Sequence, residues 1–303
     1  MYEALRDYLK DSELRIADEN LYIRMSSELA KKYDAGDYDI AVAEHIGCIR
    51  ELTALNLLPD NDKKFYIYLV PDDCFADLLM YPYRERDGGG RPVGCFEKDG
   101  FCYAYGSSQN RFSVHREYSA QSHANNIHEY CHLIFEEFYP KRHQLFHEGF
   151  SELIPWYLLD YDIKDKNKSG KIRYHIDEVL SGDIYSADQL LGTKNVFLDQ
   201  VVGATCAFQK SYISAYMFMR LIIEKIQEKY NLDKVAAVKM FLSWGPKTTN
   251  NSGLLITEFA NKLGLNVEKL LYTTDYQKEV LQEMSNFVKI NGNTIKPTDA
   301  IKI

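Results

Sequence analysis

His128 and His132 stand four residues apart in Ile127-His128-Glu129-Tyr130-Cys131-His132, and Glu129 directly follows the first of them. On a helix, residues at this spacing share a face, so both imidazoles can reach one ion. Glu129 lies about 100° further round the axis, where its carboxylate can take a proton from a water beside that ion. The ion this donor set suits is zinc, which accepts imidazole nitrogen and carboxylate oxygen in tetrahedral geometry. A catalytic zinc keeps three protein ligands and one open position, lowers the pKa of bound water toward neutrality and polarises a carbonyl. The chemistry implied is hydrolysis by a metal-activated water, with Glu129 as general base and then acid. The site expected is one Zn2+ ion.

The motif must be carried on a helix for this to hold. From Ala124 to Phe138 the residues Ile127, Tyr130, Cys131, Ile134, Phe135 and Phe138 fall on one face, and Pro140 stops the run. A second helical stretch covers about 144–159, with Pro155 expected to kink or break it. The metzincin extension requires Gly at position 135 and His at 138, and both are Phe. The GTxxD pattern of aspzincins begins at Gly192-Thr193 but meets Val196. Peptide deformylases use an upstream cysteine, for which Gly94-Cys95 would have to serve, but their glycine-rich loop is missing.

The segment His147-Glu148-Gly149-Phe150-Ser151-Glu152 carries a closer likeness. HExxH followed by a helix containing EGFxE resembles the gluzincin metallopeptidases, the clan that includes thermolysin and the zinc aminopeptidases. The resemblance implies a zinc metallopeptidase with Glu148 as third ligand, although the connection from His132 is shorter than in many members. Glu152, one turn on, is similar to the acidic group with which gluzincins orient a ligand histidine; it is also the alternative third ligand. His147 would be structural or line the cleft. Tyr212-Ile213-Ser214-Ala215-Tyr216-Met217-Phe218 is similar to the YxxAxxF helix of gluzincin C-terminal lobes. That makes Tyr212 the candidate oxyanion donor and Tyr216 its alternate. The family's substrate-pairing edge strand maps onto Phe101, Cys102 and Tyr103, continuing to Tyr105; backbone pairing there would hold an extended peptide.

The remaining elements frame these residues. Residues 2 to about 57 read as helical, with Leu21, Met25 and Leu29 and then Val42, Ile46, Ile49 and Leu52 at helical spacing. Phe65 to Val70 reads as a strand before Pro71, and Gly94–Glu97 with Phe101–Tyr105 as a hairpin around Asp99-Gly100. Residues 161–173 read as a mobile loop, and further helices are expected at about 208–230, 233–243, 253–263 and 266–287. The fold class expected is α+β and zincin-like: a helical N-terminal region (1–60), a small mainly antiparallel sheet with the metal-binding helices (61–160), and a mostly helical C-terminal lobe (161–303).

Composition narrows the partners. The 303 residues carry 36 basic and 44 acidic side chains, a net charge of −8, and no basic run that would grip a phosphate backbone. Nucleic acid is therefore not expected, and neither is a membrane, since no stretch has the apolar length to cross one. The charged start, MYEALRDYLKDSELR, is unlike a secretory signal. The six cysteines lack CxxC spacing, so reduced, buried thiols and a cytoplasmic location are expected. The expected partner is a peptide or protein substrate. The same residues would also serve a zinc hydrolase of a non-peptide amide, or a binding protein that retains the fold without catalysis.

Overall fold

Apolar periodicity places the helices, and helices make up most of the residues that the computed structural model describes: 13–18, 21–25, 35–58, 65–69, 103–105, 120–140, 143–159, 184–192, 205–249 and 251–280. The chain divides into two compact units, Met1–Ile134 and Phe135–Ile303.

In the first unit, strands β1 (Glu13–Asp18), β2 (Leu21–Met25), β3 (Phe65–Leu69) and β4 (Tyr103–Tyr105) form one sheet in the order β1-β2-β3-β4. β1 and β2 pair antiparallel, Leu14 opposite Arg24. β2 and β3 pair parallel, as do β3 and β4, with Ile23 opposite Ile67 and Ile67 opposite Tyr103. This corrects the fold expected from sequence twice. The sheet is not mainly antiparallel, because two of its three pairings are parallel. The N-terminal region is not helical throughout either, because Leu21 and Met25 belong to a strand. Leu21-Tyr22-Ile23-Arg24-Met25 satisfies a helical i, i+4 spacing and a strand alternation equally, and in so short a run the β-forming Tyr22 and Ile23 decide. The first arm of the expected 94–105 hairpin and the 161–173 loop lie outside the described residues.

Helix α1 (Ala35–Ala54) buries His45, Cys48 and Leu52, while Ile46 and Ile49 sit at the margins of that face. The stripe expected through Ile46 and Ile49 is thus displaced round the helix. Helix α2 (Ala120–Phe138) carries the HExxH motif and buries Ile127, Tyr130, Cys131, Ile134 and Phe135, as its periodicity requires. Cys48 and Cys131 are buried cysteines.

The second unit opens with the last turn of α2. Helix α3 (Gln144–Leu153) runs directly into a π-helical turn, Ile154–Leu158, at the expected Pro155. Proline has no N–H to give to Ser151, and the ladder widens there, with Leu159 N–H donating to the Ile154 carbonyl at 2.9 Å. Then follow α4 (Ala187–Gly192), α5 (Thr205–Tyr230), α6 (Lys234–Trp244), α7 (Ser252–Leu263) and α8 (Val267–Tyr272). Asp233, Asn251 and Asn266 cap α6, α7 and α8 by accepting from backbone N–H groups.

The helix expected over 266–287 breaks after Tyr272. Thr273 is extended, and its hydroxyl donates to the Lys269 carbonyl at 2.8 Å, a local bond that competes with continuing the helix. Helix resumes at 275–280. Every residue of α5 from Ile213 to Ile223 is buried, so this helix is the axis of the unit. Beside it lies an aromatic core: Phe135 on Tyr139 at 5.0 Å, Phe135 on Phe150 at 5.2 Å, Tyr139 on Phe241 at 5.0 Å, and Phe241 on Phe259 at 5.4 Å. Tyr139 ties it together by donating its hydroxyl to the Phe241 carbonyl at 2.7 Å. Among the described residues no helix is long and apolar enough to cross a membrane.

Candidate metal centre

The i, i+4 spacing on α2 brings the Nε2 atoms of His128 and His132 to 3.1 Å from each other. Two nitrogens each about 2.0–2.1 Å from a tetrahedral zinc stand about 3.3 Å apart, so the imidazoles already hold the spacing an ion requires. Glu148 completes the set: one ligand atom from each of the three residues lies within 4.8 Å of the others. His128, His132 and Glu148 are only 7%, 6% and 8% exposed. A buried donor set of two imidazoles and one carboxylate fits zinc in type and number. Glu129, beside the first histidine on the same helix, is half-buried.

Three features fix α3, the helix of Glu148. At its start, His143 caps the helix, its Nδ1 accepting from the Leu145 N–H at 3.2 Å. Burial lowers the His143 pKa below its ordinary 6.5, and the neighbouring His147 adds to the shift. The folded state therefore favours the neutral ring that can accept this bond. Its contribution is complete above 6.5 and is lost as pH falls through the lower folded-state value. His143→Asn, which caps without titrating, should flatten the acid-side loss of stability seen in urea midpoints measured above and below that pH.

One turn on, His147 packs its ring edge against Phe135 at 4.9 Å and sets Nε2 3.2 Å from the Glu136 carboxylate. This makes His147 a tie between the end of α2 and α3. The third feature is Gly149. A Cβ there would stand 2.5 Å from the Ala215 carbonyl oxygen and 2.6 Å from Met219, so α3 and α5 meet backbone to backbone. Alanine gains about 1 kcal/mol in helix propensity over glycine. Overpacking against a backbone atom that cannot give way costs about 1–3 kcal/mol. Gly149→Ala should accordingly unfold at a lower temperature than the wild type in thermal denaturation.

The close crossing also orders the two tyrosines of α5. Ala215 and Met219 face α3. Tyr212, three residues before Ala215, falls on the same side of the helix and is half-buried. Tyr216 is turned further away, and its hydroxyl accepts from Arg220 Nη1 at 3.4 Å. Arg220 in turn donates to Glu224 at 2.7 Å and lies over the Tyr157 ring at 4.6 Å. Burial by itself would lower its pKa, but charge on Tyr216, Glu224 and Tyr157 outweighs it and raises the value, keeping a cation in the core. Tyr216 is thus engaged within its own helix, whereas Tyr212 stands on the side of α5 that meets α3.

Glu152 is fully buried on α3, one turn beyond Glu148. Of the expected substrate-pairing strand, Tyr103 opens β4, which lies at an edge of the sheet among the described strands. Phe101 and Cys102 lie outside the described residues. Sequence reasoning did not assign three roles: His147 as partner of Glu136, Gly149 as the point of helix contact, and His45, whose Nδ1 lies 3.1 Å from the Tyr130 hydroxyl behind the motif. Gly149 carried the one usable signal, since a glycine within a helical run often marks a close approach. No protein-family model matches the chain, and no curated protein matches it.

Proposed function

We propose that this chain is a zinc-dependent peptidase of the gluzincin type, hydrolysing peptide bonds with Glu129 as general base and acid. The observation that supports this reading best is the convergence of buried His128, His132 and Glu148 on one point, with Glu129 beside it on the same helix. Zinc bound there would polarise the scissile carbonyl and make water a stronger acid. Glu129 takes the proton from that water and returns it to the leaving amine. Tyr212 donates a hydrogen bond to the negative charge developing on the carbonyl oxygen. Glu152 orients a ligand from within α3, and the backbone of β4 with the preceding Phe101 and Cys102 pairs with extended substrate.

The test is incubation of zinc-loaded protein with an unbiased peptide library, read by mass spectrometry. Cleavage should appear, vanish on chelation and return with added zinc. A library left intact by protein carrying one zinc would instead favour a non-peptide amide as substrate. Protein that takes up no zinc would point to a binding module that retains the fold.

A further inference from the structure

We infer that His45, on α1, is a positioning residue for the metal centre and acts through Tyr130. This rests on the metal site proposed above. His45 is 1% exposed, and its Nδ1 lies 3.1 Å from the Tyr130 hydroxyl, with the two rings edge to face at 5.9 Å. Tyr130 is fully buried and occupies the third position of the HExxH motif. At about 100° per residue, it projects roughly 200° round the helix from His128 and about 160° from His132. His45 therefore holds the face of α2 opposite the ligands.

A polar pair is not the simplest way to fill this core. The same two helices bury Cys48, Leu52 and Cys131 completely. An aliphatic–aromatic contact there would pack without any need to satisfy two polar groups. What the hydrogen bond adds is direction: it fixes the rotation and height of α2, which apolar packing alone tolerates over a range. The ligands need that control, because a site works only within about 0.5 Å and 10–20° of its productive geometry. A 10° turn of α2 would carry an imidazole nitrogen, roughly 6 Å from the axis, by about 1 Å. The two imidazoles, which ride together on α2 with their Nε2 atoms 3.1 Å apart, would then shift as a pair against the Glu148 oxygen that completes the set.

The experiment measures zinc affinity of the full chain by competition with a chromophoric chelator, alongside thermal unfolding of the metal-free protein. His45→Ala and Tyr130→Phe should each weaken zinc binding about tenfold, the lower end of what supporting groups contribute. The double variant should be no weaker than the weaker single one, because both remove the same bond. His45→Asn, which keeps a polar atom near the Nδ1 position, should restore affinity to within roughly threefold of wild type. Leu52→Ala, on the same face of α1, should lower the unfolding temperature without moving zinc affinity. Should His45→Ala not fold, Tyr130→Phe carries the test, since it removes a hydroxyl alone.

Wild-type affinity in Tyr130→Phe, additive single effects, or an equal loss in Leu52→Ala would overturn the positioning role while leaving the metal site standing. Wild-type protein that takes no zinc would bring down both.

Discussion

Glu129→Gln is expected to bind one zinc per chain and to hydrolyse peptides at least about 100-fold more slowly than wild type. The substitution keeps the size and polarity of the side chain and removes only its ability to hold a proton. A positioned general base contributes about 10²–10⁴ in rate, so the loss should appear in kcat. Binding of the ion should be unaffected, because His128, His132 and Glu148 supply the ligand atoms and Glu129 does not belong to that set. Steady-state kinetics with parallel metal analysis checks both halves. A variant that keeps zinc and full activity would remove Glu129 from the mechanism.

The second large effect concerns the choice between two glutamates on one helix. Glu148→Ala should weaken zinc binding by about 100-fold or more, since a protein zinc site is worth about 10–16 kcal/mol and one of three ligands carries about 3 of it. Glu152→Gln should still take one zinc, with affinity lower by about tenfold, the effect of losing a group that orients a ligand. Both residues are buried, but it is Glu148 that offers an oxygen within 4.8 Å of the two imidazoles. Zinc titration of the two variants separates the roles, and the reverse order of affinities would exchange them.

The helical half of this molecule was readable because its signals are long and redundant. The HExxH helix, α5, α6 and α7 each repeat an apolar face over several turns; Pro140 follows the first, and Asp233 and Asn251 cap the last two. The stop at Pro155 was readable for the same reason, though not its resolution into a π turn. The strands were not readable in the same way. Leu21 to Met25 is too short to separate a period of 2 from one of 3.6, and nothing local in Tyr103-Ala104-Tyr105 says whether its partner runs parallel. The break at Thr273 depended on one hydroxyl bonding back to Lys269.

At the candidate site the same contrast holds. Two histidines at i, i+4 declare themselves, because the helix alone brings them together. Glu148 required a likeness to a known motif, because the fifteen residues after His132 carry no periodicity that fixes how the chain returns. His45 was hidden, since a histidine interrupting an aliphatic stripe looks like noise until its partner is seen.

The proposed activity depends on one zinc ion held by His128, His132 and Glu148. Metal analysis of purified protein, joined to X-ray absorption at the zinc edge, tests it most directly. One zinc per chain, with nitrogen and oxygen neighbours at about 2.0–2.1 Å and no sulfur, is the result expected. Protein that stays metal-free after equilibration with zinc, or a coordination shell containing sulfur at about 2.3 Å, would contradict it.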